Sequence, residues 1–476
     1  MISIEYVGKF IINKTNRNYL FFIITRDESR IFLFYFIVLF AIFQIYEKTE
    51  NHSMINAFFK DYFAHVRLFS PNARKFLVGS FFMGFGFSVF WLLFNLYLKE
   101  VGYGEGNIGS VIAASSVGTV LIAIPAAIII DRFRIKYILM IAALLNATAL
   151  VGQAMSTSLL PLRVMSGLSG AMWTVHFIAA SPFFMRNSTP DERPYLFGIN
   201  MALSRFAGFI GALAGGYIPA ELAERGVALL FGYRYTLLSA GILAGIALFA
   251  YMPIKSKKST SARLSFSDYF GIKTLAITGK LIIPHFIIAM GAGLVIPFLN
   301  LYFLHRFGLE SDAIGRIFSF GSLFAVTGFL IGPALAKRMG LIRTVVVTQL
   351  LSIPFFLILA FTDHLYVAIL AFMFRGALMN MAWPMFNNFA MEMVPEQYQA
   401  GTNSILSLAW NVAWMVSTSL GGLIIERSGF TSVMLITMSL YVASAFSAWW
   451  LFKRQTSIGR GRLSPPIRAD KSAYDD

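Results

Sequence analysis

The stretch "NLYLKEVGYGEGNIGS" (95–110) occurs a second time, altered, as "NLYFLHRFGLESDAIGR" (300–316). Both begin Asn-Leu-Tyr at the end of an apolar run. Both continue with a glycine and an Ile-Gly at matched spacing: Gly102, Ile108 and Gly109, then Gly308, Ile314 and Gly315. Upstream, "MGFG" (83–86) answers "MGAG" (290–293). The frame that lays Gly109 on Gly315 also lays "AGGYI" (214–218) on "LGGLI" (420–424), and Asp131-Arg132 on Lys337-Arg338. A period this long, carried across several landmarks, is an internal duplication, and such a repeat sets the architecture before any local reading does.

What is duplicated is greasy. The chain has 476 residues, 57% hydrophobic and 13% charged, whereas soluble domains run at about 45–50% apolar and about 25% charged. Apolar runs fall at 75–98, 107–130, 137–156, 159–184, 194–219 and 235–253. After a polar break they resume at 281–304, 313–335, 344–361, 365–391, 399–425 and 430–452. Roughly 20 apolar residues suffice to cross a ~30 Å hydrocarbon core as a helix. The expected fold is therefore an all-α polytopic membrane protein, with twelve transmembrane helices as two six-helix bundles related by the repeat. Within it, 54–254 is the first bundle, 255–278 a linker, 279–455 the second bundle and 456–476 a tail.

Residues 1–53 differ in composition, with one Ala, one Gly and no Pro. Their apolar run (31–46) is short for a span and lacks a small-residue cleavage site, which argues against a signal peptide. The functional chain is expected to begin at Met54. The alternative is an extra membrane-associated helix.

The net charge of +16 is spread over short loops rather than gathered on one face, which reads as topology and not as nucleic-acid binding. Lys and Arg collect around 132–136, 186–193, 255–263, 337–343 and the tail. By the positive-inside tendency that side is cytoplasmic, with both bundle termini inside a plasma membrane, or the inner membrane of a Gram-negative cell. Cysteine is absent, which excludes disulfides and thiolate chemistry. No phosphate-binding glycine loop with its lysine is present, so ATP is not the direct driver. No reactive set for a membrane-embedded enzyme is present either.

Between runs 2 and 3 the sequence "AAIIIDRFRIKYIL" (126–139) carries Asp131, Arg132, Arg134 and Lys136, and a weaker copy spans Pro333, Lys337, Arg338 and Gly340. Run 4 has Arg163 with Gly167, "FGYRYTL" (231–237) precedes run 6, and run 5 has Gly211, Gly215 and Gly216, with Ala212 where a proline would stand. In order and spacing these motifs resemble those of the major facilitator superfamily, over residues 70–455. The resemblance implies secondary transport by rocking of the two bundles about a central site, with no cofactor. It further implies a cytoplasmic latch: Asp131 would meet the start of the eleventh helix near 399–402, where free N–H groups favour an anion. Arg132, Lys337 and Arg338 would complete that latch in the state open to the outside.

Charges within the runs mark a substrate path, because a mid-helix Arg costs ~2.5–3.5 kcal/mol even on gentle insertion scales. Arg205 and Arg375 lie near mid-depth, and Arg163 is closer to the outer end. No Asp or Glu falls inside any of the twelve runs, so an anionic ligand is the natural compensation for these arginines. Asn387 of run 10 and Asn411, the repeat partner of Arg205, are candidate hydrogen-bonding groups, and Asn95 and Asn300 are expected at the outer mouth. The expectation is a monomeric transporter of a small anionic or acidic-headed solute in the lipid bilayer, with a coupling proton or other ion left open. The alternatives are efflux of lipophilic compounds and a non-transporting sensor.

Overall fold

The computed structural model describes residues 69–189, 192–256 and 272–453. The leader at 1–53, most of the linker and the tail beyond 453 lie outside them. The first half consists of α1 (Pro71–Glu100), α2 (Glu105–Arg132), α3 (Ile135–Met155), α4 (Leu159–Asn187), α5 (Arg193–Glu224) and α6 (Leu229–Tyr251). The second opens with α7 (Ile272–Val295), a 3-10 turn at Ile296–Phe298 and α8 (Leu299–Phe307), which together make one span. It continues with α9 (Ser311–Met339), α10 (Leu341–Phe361), α11 (Leu365–Glu392) and α12 (Glu396–Phe452).

Eleven stretches among the described residues are long and apolar enough to cross a membrane, and α12 must count twice. Its 57 residues would rise about 85 Å, nearly three times a ~30 Å hydrocarbon core. The chain turns at Gly429, whose φ of 76° and ψ of 176° lie outside the helical region. A side chain there would be strained. The crossing on each side of Gly429 gives the twelve spans read from the sequence.

Helix ends follow local chemistry. Ser70 caps α1 by accepting from the Ala73 N–H at 3.2 Å, while its own hydroxyl donates to the Asn187 carbonyl at 2.8 Å. The start of α1 is thereby tied to the end of α4. Pro71 occupies the first turn, where its missing N–H costs nothing.

Packing repeats as the sequence does. In the first half α1 packs on α5 and α6, α2 on α4, and α3 on α4 and α6. In the second half the span α7–α8 packs on both limbs of α12, α9 on α11, and α10 on α11 and α12. Advancing each first-half pair by six spans gives the second-half pair. Between the halves, α2 lies on α12 and α5 on α9, with α1 touching α8 and α9. These two main seams exchange under the same repeat, as they must if a pseudo-two-fold relates the halves.

Candidate functional site

The molecule has two ends. The linker end holds the 133–134 turn, residues 253–256, Gly340 and Pro395, and the opposite end holds residues 101–104 and 308–310. The halves meet closely toward the opposite end. In the α5–α9 seam a Cβ on Gly216 would lie 2.5 Å from the Ser311 carbonyl oxygen and 2.8 Å from the Gly315 Cα. In the α2–α12 seam a Cβ on Gly109 would strike the Thr418 carbonyl, and one on Gly422 the Glu105 carbonyl. Backbones approach this closely only without side chains between them. The repeat frame carries Gly109 to Gly315 and Gly216 to Gly422, so one glycine pair seals each seam.

Polar contacts thicken this closure. The Asn95 side-chain amide donates to the Pro297 carbonyl at 2.5 Å and to the Asn300 amide oxygen at 3.3 Å, and Asn300 donates to the Leu92 carbonyl at 2.7 Å. The Ser311 hydroxyl donates to the Gly216 carbonyl at 3.0 Å, and the Gly106 N–H donates to Glu426 at 2.8 Å. The buried Glu105 carboxylate takes Lys99 at 2.7 Å and reaches His305 of the other half at 3.4 Å. Asn95 and Asn300 thus meet each other across the halves at the end opposite the linker.

Toward the linker end the halves separate. α1 packs on α8 but not appreciably on α7, the linker-end part of the same span, and α4 and α11 are not packing partners. Along α5, Ala212 and Gly216 face Gly315, the Ser319 hydroxyl donates to the Phe209 carbonyl at 3.1 Å, and Arg205 places its guanidinium 4.9 Å from the Phe329 ring centroid. Arg205 therefore continues the stripe that packs on α9, at the depth where the seam parts. It is exposed, and it makes no ion pair among the described residues. Gly208 faces α1, where its carbonyl accepts from Ser88 at 2.9 Å.

The remaining candidates are dispersed. Arg375 is 4% exposed inside the second half, with its guanidinium 5.1 Å from the Phe356 ring centroid. Its guanidinium faces the Tyr441 hydroxyl, which is buried with it. Arg163 lies at the opposite end, where its Nε and Nη2 donate to the Ser110 hydroxyl at 3.0 and 2.8 Å. Asn411 donates to the Ser407 carbonyl of its own helix at 2.8 Å, and Asn387 is half-buried on α11. Arg132, Lys337 and Arg338 are exposed at the linker ends of α2 and α9. Asp131 occupies the last turn of α2, and its side chain lies outside what the structure describes. Arg134 stands at a glycine position of the motif without strain, since φ −68° and ψ 122° suit any residue. In the repeat copy Gly340 does need its freedom, at φ +87°.

Aromatic clusters back both halves, a feature sequence reading missed because stacking partners come from different runs. Phe76 of α1 stacks on His176 of α4 at 5.3 Å and 8°. His285 of α7 stacks on Phe386 of α11 at 4.9 Å and 8°. The first and fourth spans of each half are thus joined by a His–Phe pair, with the partners exchanged. Tyr251 lies 3.4 Å from the His176 ring nitrogen, and Trp383 and Trp410 flank His285. These histidines are packed core residues. Phe87 and Trp91 on α1, together with Trp383, remain partly exposed.

Comparison with known proteins is consistent with this layout. The family model "Major Facilitator Superfamily" matches residues 76–284 and again 281–473, one match per half. The "Uncharacterized MFS-type transporter YceJ" of Bacillus subtilis (strain 168) is 24% identical over 346 residues, covering 70% of this chain and 86% of that protein. Among solved structures, the nucleoside transporter NupG superposes with a TM-score of 0.66 at 15% identity, covering 81% of this chain and all of that one. A bacterial homologue of the human lysosomal transporter Spinster, inward-facing and unoccupied, superposes with a TM-score of 0.67 at 14% identity. That match covers 82% of this chain and 98% of the other. At such identities the structural likeness speaks for the fold.

Proposed function

This chain belongs to the Major Facilitator Superfamily, a family of secondary transporters and not of enzymes, and from that premise we propose that it moves a small anionic or acidic-headed organic solute by alternating access. The linker end is proposed to be cytoplasmic on the basis of its Lys and Arg, which makes this the inward-facing state of a monomeric plasma-membrane carrier. Its outer seams are closed and its substrate path is open toward the cell interior.

The observation that carries the anion reading is Arg205. It brings a permanent positive charge to mid-depth, at the point where the α5–α9 seam parts, with a ring beside it and no acid against it. A substrate carboxylate or phosphate arriving from the open end would meet a planar two-pronged donor. Asn387 and Asn411 are proposed to meet its neutral part. Arg375 would reach a solute only if the second half rearranged, so the proposal rests on Arg205. The latch role of Asp131, with Arg132, Lys337 and Arg338, belongs to the opposite, outward-open state.

The test is uptake or binding with a panel of anionic, neutral and cationic solutes in wild type, Arg205→Asn and Arg205→Lys. Loss of one charge-assisted hydrogen bond, about 1.5–3 kcal/mol, corresponds to roughly 10- to 100-fold weaker binding of the anion. Lys should restore little of it, because an ammonium lacks the guanidinium fork. Full anion affinity in both variants, or transport of neutral and cationic solutes only, would reject the anion reading and return efflux of lipophilic compounds to first place.

A further inference from the structure

Beside the α2–α12 seam, near the closed end, lies a cavity of about 390 Å³ lined by residues of α2, α4 and α12. Two of its walls carry full charges of opposite sign. Arg163 comes from the first half and Glu426 from the second. Neither makes an ion pair among the described residues, with each other or with any third group. Arg163 gives two N–H groups to one neutral hydroxyl, Ser110, which donates onward to the Asn107 carbonyl at 2.6 Å. Glu426 receives the Gly106 N–H. The carboxylate is also seated closely: a Cβ on Gly104 or Gly106 would collide with it. Glu426 is exposed and Arg163 half-buried, so each can take a partner that enters the cavity from outside.

We propose that this cavity binds a zwitterion carrying a primary ammonium and a phosphate or carboxylate, the anionic end on Arg163 and the ammonium on Glu426. Each end of such a ligand supplies the charge its wall lacks; a phosphodiester or carboxylate ligand enters with no net charge, and a phosphate monoester with about one net negative charge. Because its two anchors belong to different halves, the site is complete only while the α2–α12 seam is closed. Binding therefore favours the closed outer end, as any ligand selective for one of two states must. Two sources offer this chemistry: the headgroup of an aminophospholipid, and a soluble zwitterion of the same kind.

The test uses full-length protein with the single substitution Ser311→Cys, whose position is 2% exposed in the closed seam. Labelling by an impermeant maleimide reports opening. Nanodiscs containing phosphatidylethanolamine are compared with phosphatidylcholine nanodiscs, and the latter are also tested with added phosphorylethanolamine. Labelling slowed about 5- to 10-fold in phosphatidylethanolamine alone identifies the lipid. Slowing by phosphorylethanolamine in phosphatidylcholine identifies a soluble ligand. In either case the effect must vanish in both Arg163→Gln and Glu426→Gln. Thermal shift against phosphorylethanolamine in detergent provides a second readout that does not depend on labelling. No protection and no thermal shift from either source, or protection that survives either substitution, overturns the proposal. Substrate plays no part in this assay, so its failure would leave the transport reading intact.

Discussion

The two ends of the half–half interface are built differently. At the end opposite the linker, glycine backbones touch across both seams, and Asn95, Asn300, Ser311 and Gly106 exchange hydrogen bonds between the halves. Toward the linker end stand prolines within helices such as Pro333 and Pro384, exposed Lys and Arg, and helices that do not pack across the halves. One end is made to close without side chains in the way. The other is suited to close through charge at helix ends, as the Asp131 motif implies. Alternating access as proposed needs two closures that are not made together, and ends built differently are consistent with that.

The glycine seam is where the comparison breaks most easily. Gly216→Leu pushes a branched side chain into the Ser311 and Gly315 backbone, where no flexible group can yield. Overpacking of this kind costs about 1–3 kcal/mol or more. Transport is expected to fall by roughly 5- to 150-fold or more while insertion persists, and a Cys at position 311 should become accessible from outside. Near-normal uptake by Gly216→Leu would show that the seam does not have to close.

Asn95→Ala and Asn300→Ala remove cross-half hydrogen bonds from the same end. Each should shift the balance toward the outward-open state by about 1 kcal/mol, or roughly five-fold. The two share a bond, so a double-mutant cycle should be non-additive. Strict additivity would mean the asparagines act separately, as caps within their own halves.

The linker end gives a smaller effect of opposite sense. Asp131→Asn removes a carboxylate near a helix start, worth about 0.3–1 kcal/mol when the latch is made. Transport should slow by a few-fold with expression near normal, and the population should move toward the inward-facing state. Wild-type rates with an unchanged population would reduce the 131–136 motif to a topology signal. Removing residues 1–53 should change least, since the sequence repeat does not include them. A Met54-start protein that fails to insert would contradict that.

The twelve spans were legible because each crossing carries its own apolar run, and the duplication was legible because Gly109 and Gly315 keep their spacing to Gly102 and Gly308. The contacts those residues make were not. A repeat aligns Gly216 with Gly422, but it does not reveal that Gly216 meets Gly315 in one seam and Gly422 meets the start of α2 in the other. That follows from a pseudo-two-fold axis, which sequence spacing does not contain. Arg205 and Arg375 looked alike as mid-span charges. Their surroundings separate them: a parting seam for one, and the interior of the second half, beside Phe356, for the other. Depth along a helix can be counted, whereas the face presented to a neighbour depends on which helix packs there. The pairing of His285 with Phe386 was hidden for the same reason.

The central claim, two closures used in turn with the outer one made here, is tested most directly by two single-cysteine proteins, which the cysteine-free chain allows without background. Ser311→Cys sits in the outer seam, and Met201→Cys is exposed on α5 one turn linker-ward of Arg205. Without substrate, the account predicts that an impermeant maleimide labels Met201→Cys from the cytoplasmic face and leaves Ser311→Cys largely unreacted from outside. Under conditions that turn the carrier over, Ser311→Cys should gain reactivity as Met201→Cys loses it. Simultaneous, uncorrelated labelling of both positions, or no change in either during transport, would contradict the account.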